Sequence, residues 1–84
     1  MDRCSVYIHL ELLEVVPTRG DQRRMIMQFI RSLAQAPDTP GDFTDRDNTL
    51  RTRQVKIIGQ YAVTYWLDAP IRTVMVVDIR RADG

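Results

Sequence analysis

The sequence is poor in the residues from which most active sites are built. It holds one cysteine, Cys4, and one histidine, His9. A single thiol cannot close an internal disulfide, and no His is paired with a Cys or Ser for nucleophilic catalysis. No group of Cys, His and carboxylates stands around His9 at metal-ligand spacing, so neither a metal nor another cofactor is expected. His9 is read as a solvated strand residue rather than a general acid. There is no phosphate-cradling glycine loop and no nucleophile elbow. No apolar run is long enough to span a bilayer as a helix. Met1-Asp2-Arg3-Cys4 lacks the basic-then-apolar layout of a signal peptide. With the lone thiol, these absences lead us to expect a cytoplasmic protein without membrane contact.

What is present is ordinary globular composition, 44% hydrophobic and 27% charged over 84 residues. That length makes one domain, 1–84, with a modest core, so a partner or a homodimer contact is expected to add stability. The net charge of +1 hides an asymmetry. Residues 1–48 carry six arginines and eight acids, and residues 49–84 carry six bases and three acids. The basic half suits a phosphate or an acidic peptide, and equally a solvated sheet face.

The most informative stretch is Arg51 to Asp83. Its β-branched and aromatic residues fit strands over Val55–Ile58, Tyr61–Leu67 and Thr73–Ile79, with turns at Gly59 and at Asp68-Ala69-Pro70. Connections this short make neighbouring strands antiparallel. Alternation places Tyr61, Val63, Tyr65 and Leu67 on the better core face, and Ala62, Thr64 and Trp66 on a mixed face. On the last strand it groups Met75, Val77 and Ile79 against Val74, Val76 and Asp78. Trp66 is either a partner anchor or a residue packed under the chain's own loop.

Upstream, Ser5 to Val16 alternates like a strand, although LELLEVV is also compatible with a helix. Thr18 and Asp21 have capping-box spacing. Ile26, Phe29, Ile30 and Leu33 then form an amphipathic helical stripe that must end by Ala36, before Pro37. The stripe is expected to pack on the face carrying Val63 and Tyr65. Met25 and Met27 flank it as gap-fillers. Pro37 to Asn48 is expected to be a loop pinned to the core by Phe43. Its Asp42, Asp45 and Asp47 lack the glycine and terminal Glu of a calcium loop.

A strand, a helix, a proline-containing loop and three strands, carrying FIRSLAQAP, VKIIGQYAVTYWLD and VMVVDIRRAD, resemble the RelE/ParE toxins of bacterial type II toxin–antitoxin systems. The resemblance covers nearly the whole chain. It implies an α+β fold, a small antiparallel sheet packed against one or two helices. It implies an antitoxin peptide or protein as partner. It also implies one of two targets: the ribosome, with cleavage of messenger RNA by a ribosome-dependent endoribonuclease, or DNA gyrase. By the same resemblance Arg53, Lys56 and Arg81 are the candidate catalytic cations, and Trp66, Arg51, Arg53 and Arg80 the partner-binding set. The family's arginine after the glycine and tyrosine falls on Ala62, and its C-terminal tyrosine has no counterpart in these residues. An eroded active site is therefore expected. A non-catalytic peptide-binding module on the same scaffold is the alternative.

Overall fold

The β-branched and aromatic residues of the C-terminal third fold as a three-strand meander. The computed structural model describes residues 3–83. The chain runs β1 (Ser5–Ile8), α1 (Asp21–Ser32), β2 (Phe43–Arg46), β3 (Thr52–Ile58), β4 (Tyr61–Asp68) and β5 (Thr73–Arg81). The five strands form one sheet in the order β1-β5-β4-β3-β2. Neighbours along β2, β3, β4 and β5 are antiparallel, whereas β1 lies parallel to β5. The sheet is thus mixed, and the fold is α+β. β1 and β5 lie at opposite ends of the chain, so no short hairpin connection imposes the antiparallel sense on their pairing.

One face of the sheet is covered. Ile26, Ile30 and Leu33 of the helical stripe are buried against Val63, Tyr65, Val74, Val76 and Ile79. Phe29 is only partly buried, and its ring meets Tyr65 edge-on at 5.4 Å. Met27 packs on this core, but Met25 is 48% exposed and fills no gap. Removing apolar surface from water on this scale is the main force holding α1 to the sheet.

Several local expectations are corrected. The first strand stops at Ile8, and Leu10–Val15 is a 3-10 helix capped by His9, whose Nδ1 accepts the Glu11 N–H. Leu12 and Leu13 both pack on the core, which two adjacent residues of a strand cannot do. The Thr18 capping box does not form: α1 starts at Asp21 behind Gly20, with no side-chain cap. The loop expected at 37–48 contains β2, and its Phe43 is 53% exposed beside Val55 rather than pinned in the core. On β5 the alternation breaks. Thr64 lies opposite Asp78 and Tyr65 opposite Val76, so Val77 is an extra residue, a β-bulge. The bulge lets Val74, Val76 and Ile79 all reach the core, while Val77 turns outward.

A long-range clamp ties the start of α1 to the β3–β4 turn. The Gln22 side chain donates to the Ile58 carbonyl at 2.9 Å and accepts from the Gln60 N–H at 3.1 Å. Gly59 sits in this turn at φ 61°, and a Cβ there would come within 2.2 Å of the Gln22 amide. Left-handed backbone and close approach both call for glycine. Gln22→Ala is expected to cost about 0.5–1.5 kcal/mol, since the part-buried Ile58 carbonyl loses its donor while the exposed Gln60 N–H can turn to water. Urea unfolding compared with Gln28→Ala, an exposed site on the same helix, measures it; equal midpoints would refute the clamp.

Candidate functional site

The second face of the sheet carries no helix. Its composition follows from register. One row across the strands reads Tyr7, Met75 and Trp66. The next reads Phe43, Val55, Thr64 and Asp78, and the last Ile57, Ala62 and Arg80. Phe43, Arg53, Ala62, Thr64, Asp78 and Arg80 line a shallow hollow of about 430 Å³ on this face. Val55 and Thr64 form its closed floor, at 5% and 6% exposure. Val77 lines it too, because the β5 bulge sends Val77 and Asp78 to the same side.

The cations of this face are all engaged. The Arg53 Nη2 donates to Asp45 at 2.5 Å, and Arg80 Nε donates to Asp78 at 2.5 Å. Arg51 bonds Asp47 at 3.2 Å and lies over the Trp66 ring, its guanidinium carbon 4.0 Å from the ring centre. Arg53 Nε is shut away from solvent with no hydrogen-bond partner. The Asp47 carboxyl is held below its ordinary range, chiefly by the Thr49 hydroxyl and also by the Arg51 and Thr49 backbone N–H groups. Trp66 borders a separate notch of about 470 Å³ at the end of the sheet, walled by Pro37, Thr39 and Pro40.

The structure divides the four residues expected to bind a partner between two hollows: Arg51 and Trp66 line the notch at the end of the sheet, and Arg53 and Arg80 line the hollow on the uncovered face. It does not assemble the expected catalytic set of Arg53, Lys56 and Arg81. Lys56 registers with Val63 on the helix side and pairs with Asp42 at 3.6 Å. Arg81 registers with Tyr61 on that same side, 5.8 Å from its ring, and is bound by Asp83. The Asp83 carboxylate raises the Arg81 guanidinium above its ordinary value, and Arg81 in turn lowers Asp83. The cause of the split is strand alternation: Arg53 and Lys56 are three apart, and so point to opposite faces.

The aspartates of β2 and its flanks are the part that residue types alone did not reveal. Asp42, Asp45 and Asp47 pair with Lys56, Arg53 and Arg51 in turn. Each pair is symmetric about Thr49, as opposed residues of one antiparallel hairpin must be. That symmetry of charge about Thr49 is the one sequence signal that could have marked a hairpin in a stretch whose turn-rich composition reads as a loop.

Chemically, the uncovered face can recognise shape and charge. It holds three arginines, each on a carboxylate, and so little net charge to attract a polyanion. Aromatic residues beside arginine are the composition of a protein-binding hot spot. No family model, curated protein or solved structure matches the chain.

Proposed function

We propose that this chain is the toxin of a type II toxin–antitoxin pair, RelE/ParE-like, which acts by binding its target and carries an eroded ribonuclease site. The toxin reading rests on the resemblance, and the observation that carries the eroded site is Ala62. It occupies the position where the resemblance calls for an arginine, near the start of the central strand β4 on the uncovered face and directly across from Arg80. Around it stand only arginines already held by Asp45 and Asp78. Cleavage at a ribose 2′-hydroxyl needs a proton acceptor and cations aimed at the developing phosphate charge. This face supplies neither in free form, so gyrase is favoured over messenger RNA as the target.

Induced expression in bacterial cells is expected to arrest growth, and the product of an adjacent antitoxin frame to relieve the arrest. Purified protein is expected to leave messenger RNA on programmed ribosomes intact while slowing DNA supercoiling by gyrase. Ribosome-dependent cleavage lost on Arg53→Ala or Arg80→Ala would overturn the eroded-site reading. Growth unaffected by expression would instead support the alternative, a non-catalytic peptide-binding module. Arg51 stacked on Trp66 beside an open notch favours that second reading.

A further inference from the structure

Arg53 and Lys56 of β3, with Arg51 just before it, are the bases that an acidic partner would be expected to seek. In this chain they are already taken, by Asp45 of β2 and by Asp42 and Asp47 on its flanks. Asp42, Asp45 and Asp47 hold Lys56, Arg53 and Arg51. We propose that β2 is an exchangeable edge strand, and that an extended acidic segment of a partner protein displaces it from β3 and takes over these three ion pairs.

The energetics make β2 the cheapest strand to remove. It is four residues long, and every one is exposed. Its own ion pair, Asp45 with Arg53, and those of its flanks, Asp42 with Lys56 and Asp47 with Arg51, are solvent-accessible, so each contributes only about 0.2–1 kcal/mol. None of its residues belongs to the buried core cluster. Strands with few buried contacts open first, well below the global unfolding free energy. The core on the helix side would not be disturbed.

What would take the place of β2 is set by what its departure bares. The edge of β3 would present unpaired N–H and C=O groups, which another strand satisfies. It would also present Arg51, Arg53 and Lys56 at fixed spacing, with Arg53 Nε already lacking an acceptor. The best ligand is a strand with carboxylates spaced as in Asp42-x-x-Asp45-x-Asp47. A single-stranded RNA could neutralise the cations but would leave the ladder unpaired, so the peptide is favoured. The identity of the partner as an antitoxin rests on the proposed function; the exchange itself does not.

The test uses the full chain and a synthetic peptide of residues 41–48, GDFTDRDN, with a counterpart in which the aspartates are asparagine. Trp66 is the only tryptophan, and Arg51 lies on its ring, so its fluorescence follows release of the hairpin. The variant Asp42→Asn/Asp45→Asn/Asp47→Asn keeps the acceptor oxygens but loses the ion pairs. A second variant, Gly41→Ala, loosens β2 differently, because its Cβ would fall 2.5 Å from the Val55 carbonyl oxygen. The acidic peptide is expected to bind either loosened protein about tenfold tighter than the parent, and about tenfold tighter than the asparagine peptide does. Amides of the β2–β3 ladder are expected to exchange hydrogen faster than those between β4 and β5. Equal affinity for the two peptides, no binding to either variant, β2–β3 amides as slow as the central ladder, or binding of an RNA oligonucleotide in place of the peptide would each overturn the proposal. Growth arrest is read separately, so either idea can fail without the other.

Discussion

An Ile26→Ala protein is expected to be less stable than its parent by about 2–5 kcal/mol. Ile26 has no exposed surface, and lies in the middle of the only α-helix among the described residues. Its side chain is packed in the cluster that includes Val63, Tyr65 and Val74. Truncation removes buried methyl and methylene groups and leaves a space that a single helix on a rigid sheet can close only partly. For a domain of this length the total stability is on the order of 4–12 kcal/mol, so the loss is a large fraction of the whole. At about 4–8 °C per kcal/mol, the thermal midpoint should fall by roughly 8–40 °C. Phe29→Ala should cost less than the burial of a whole phenylalanine implies, because Phe29 keeps one side in solvent. Met25→Ala, at an exposed position on the same helix, should move the midpoint little. Thermal denaturation of the three variants orders them; an unmoved midpoint for Ile26→Ala would show that α1 does not seat on this sheet as described.

The parts of this fold that were legible in the sequence are those fixed by one periodicity acting alone. The stripe at Ile26, Ile30 and Leu33 follows the helical repeat, and all three are buried. Tyr61, Val63 and Tyr65 follow the strand repeat and are buried as well, but Leu67, expected on the same face, is 37% exposed where the strand runs out past the core. Failures came where two rules competed. On β5 a bulge adds one residue, and the alternation after Val76 changes sides, so Val77 and Ile79 part company. Nothing in TVMVVDIR marks that point, since Val76 and Val77 are identical in kind. In LELLEVV the helical and strand repeats both fit, and the outcome, a 3-10 turn, was set by the need to bury Leu12 and Leu13 together. The candidate site was legible as a list of cations but not as an arrangement. Whether Arg53 and Lys56 share a face depends on parity, and their partners on β2 depend on a hairpin that its turn-rich composition concealed.

Between about pH 10 and 12 the protein is expected to lose stability through Tyr65, on the order of 1 kcal/mol per pH unit for a hydroxyl that is only part-buried. Tyr65 is 1% exposed, with its ring against Phe29 and its hydroxyl donating to the Thr39 carbonyl at 3.0 Å. Burial first, and the nearby Asp42 carboxylate second, push its hydroxyl from 10.0 up to about 12. The direction of the effect follows from proton binding. Between these values the unfolded chain has released the tyrosine proton while the folded chain retains it, so raising the pH favours unfolding. The stabilisation is fully present below pH 10 and is lost as the pH climbs through 12, in total on the order of 2 kcal/mol. Arginines and lysine also titrate at high pH, so the comparison must be made against Tyr65→Phe. That variant lacks the ionisable group but keeps the ring. It should be less stable than the parent near neutrality by about 0.5–1.5 kcal/mol, having lost the bond to Thr39. Its stability should then fall less steeply than the parent's from pH 10 to 12, so that the two curves converge and cross. Urea unfolding at a series of pH values measures both slopes. Parallel curves would mean that Tyr65 ionises as readily in the folded protein as in the unfolded chain. The loop at Thr39, which leads into the exchangeable strand, would then not seal the end of the core.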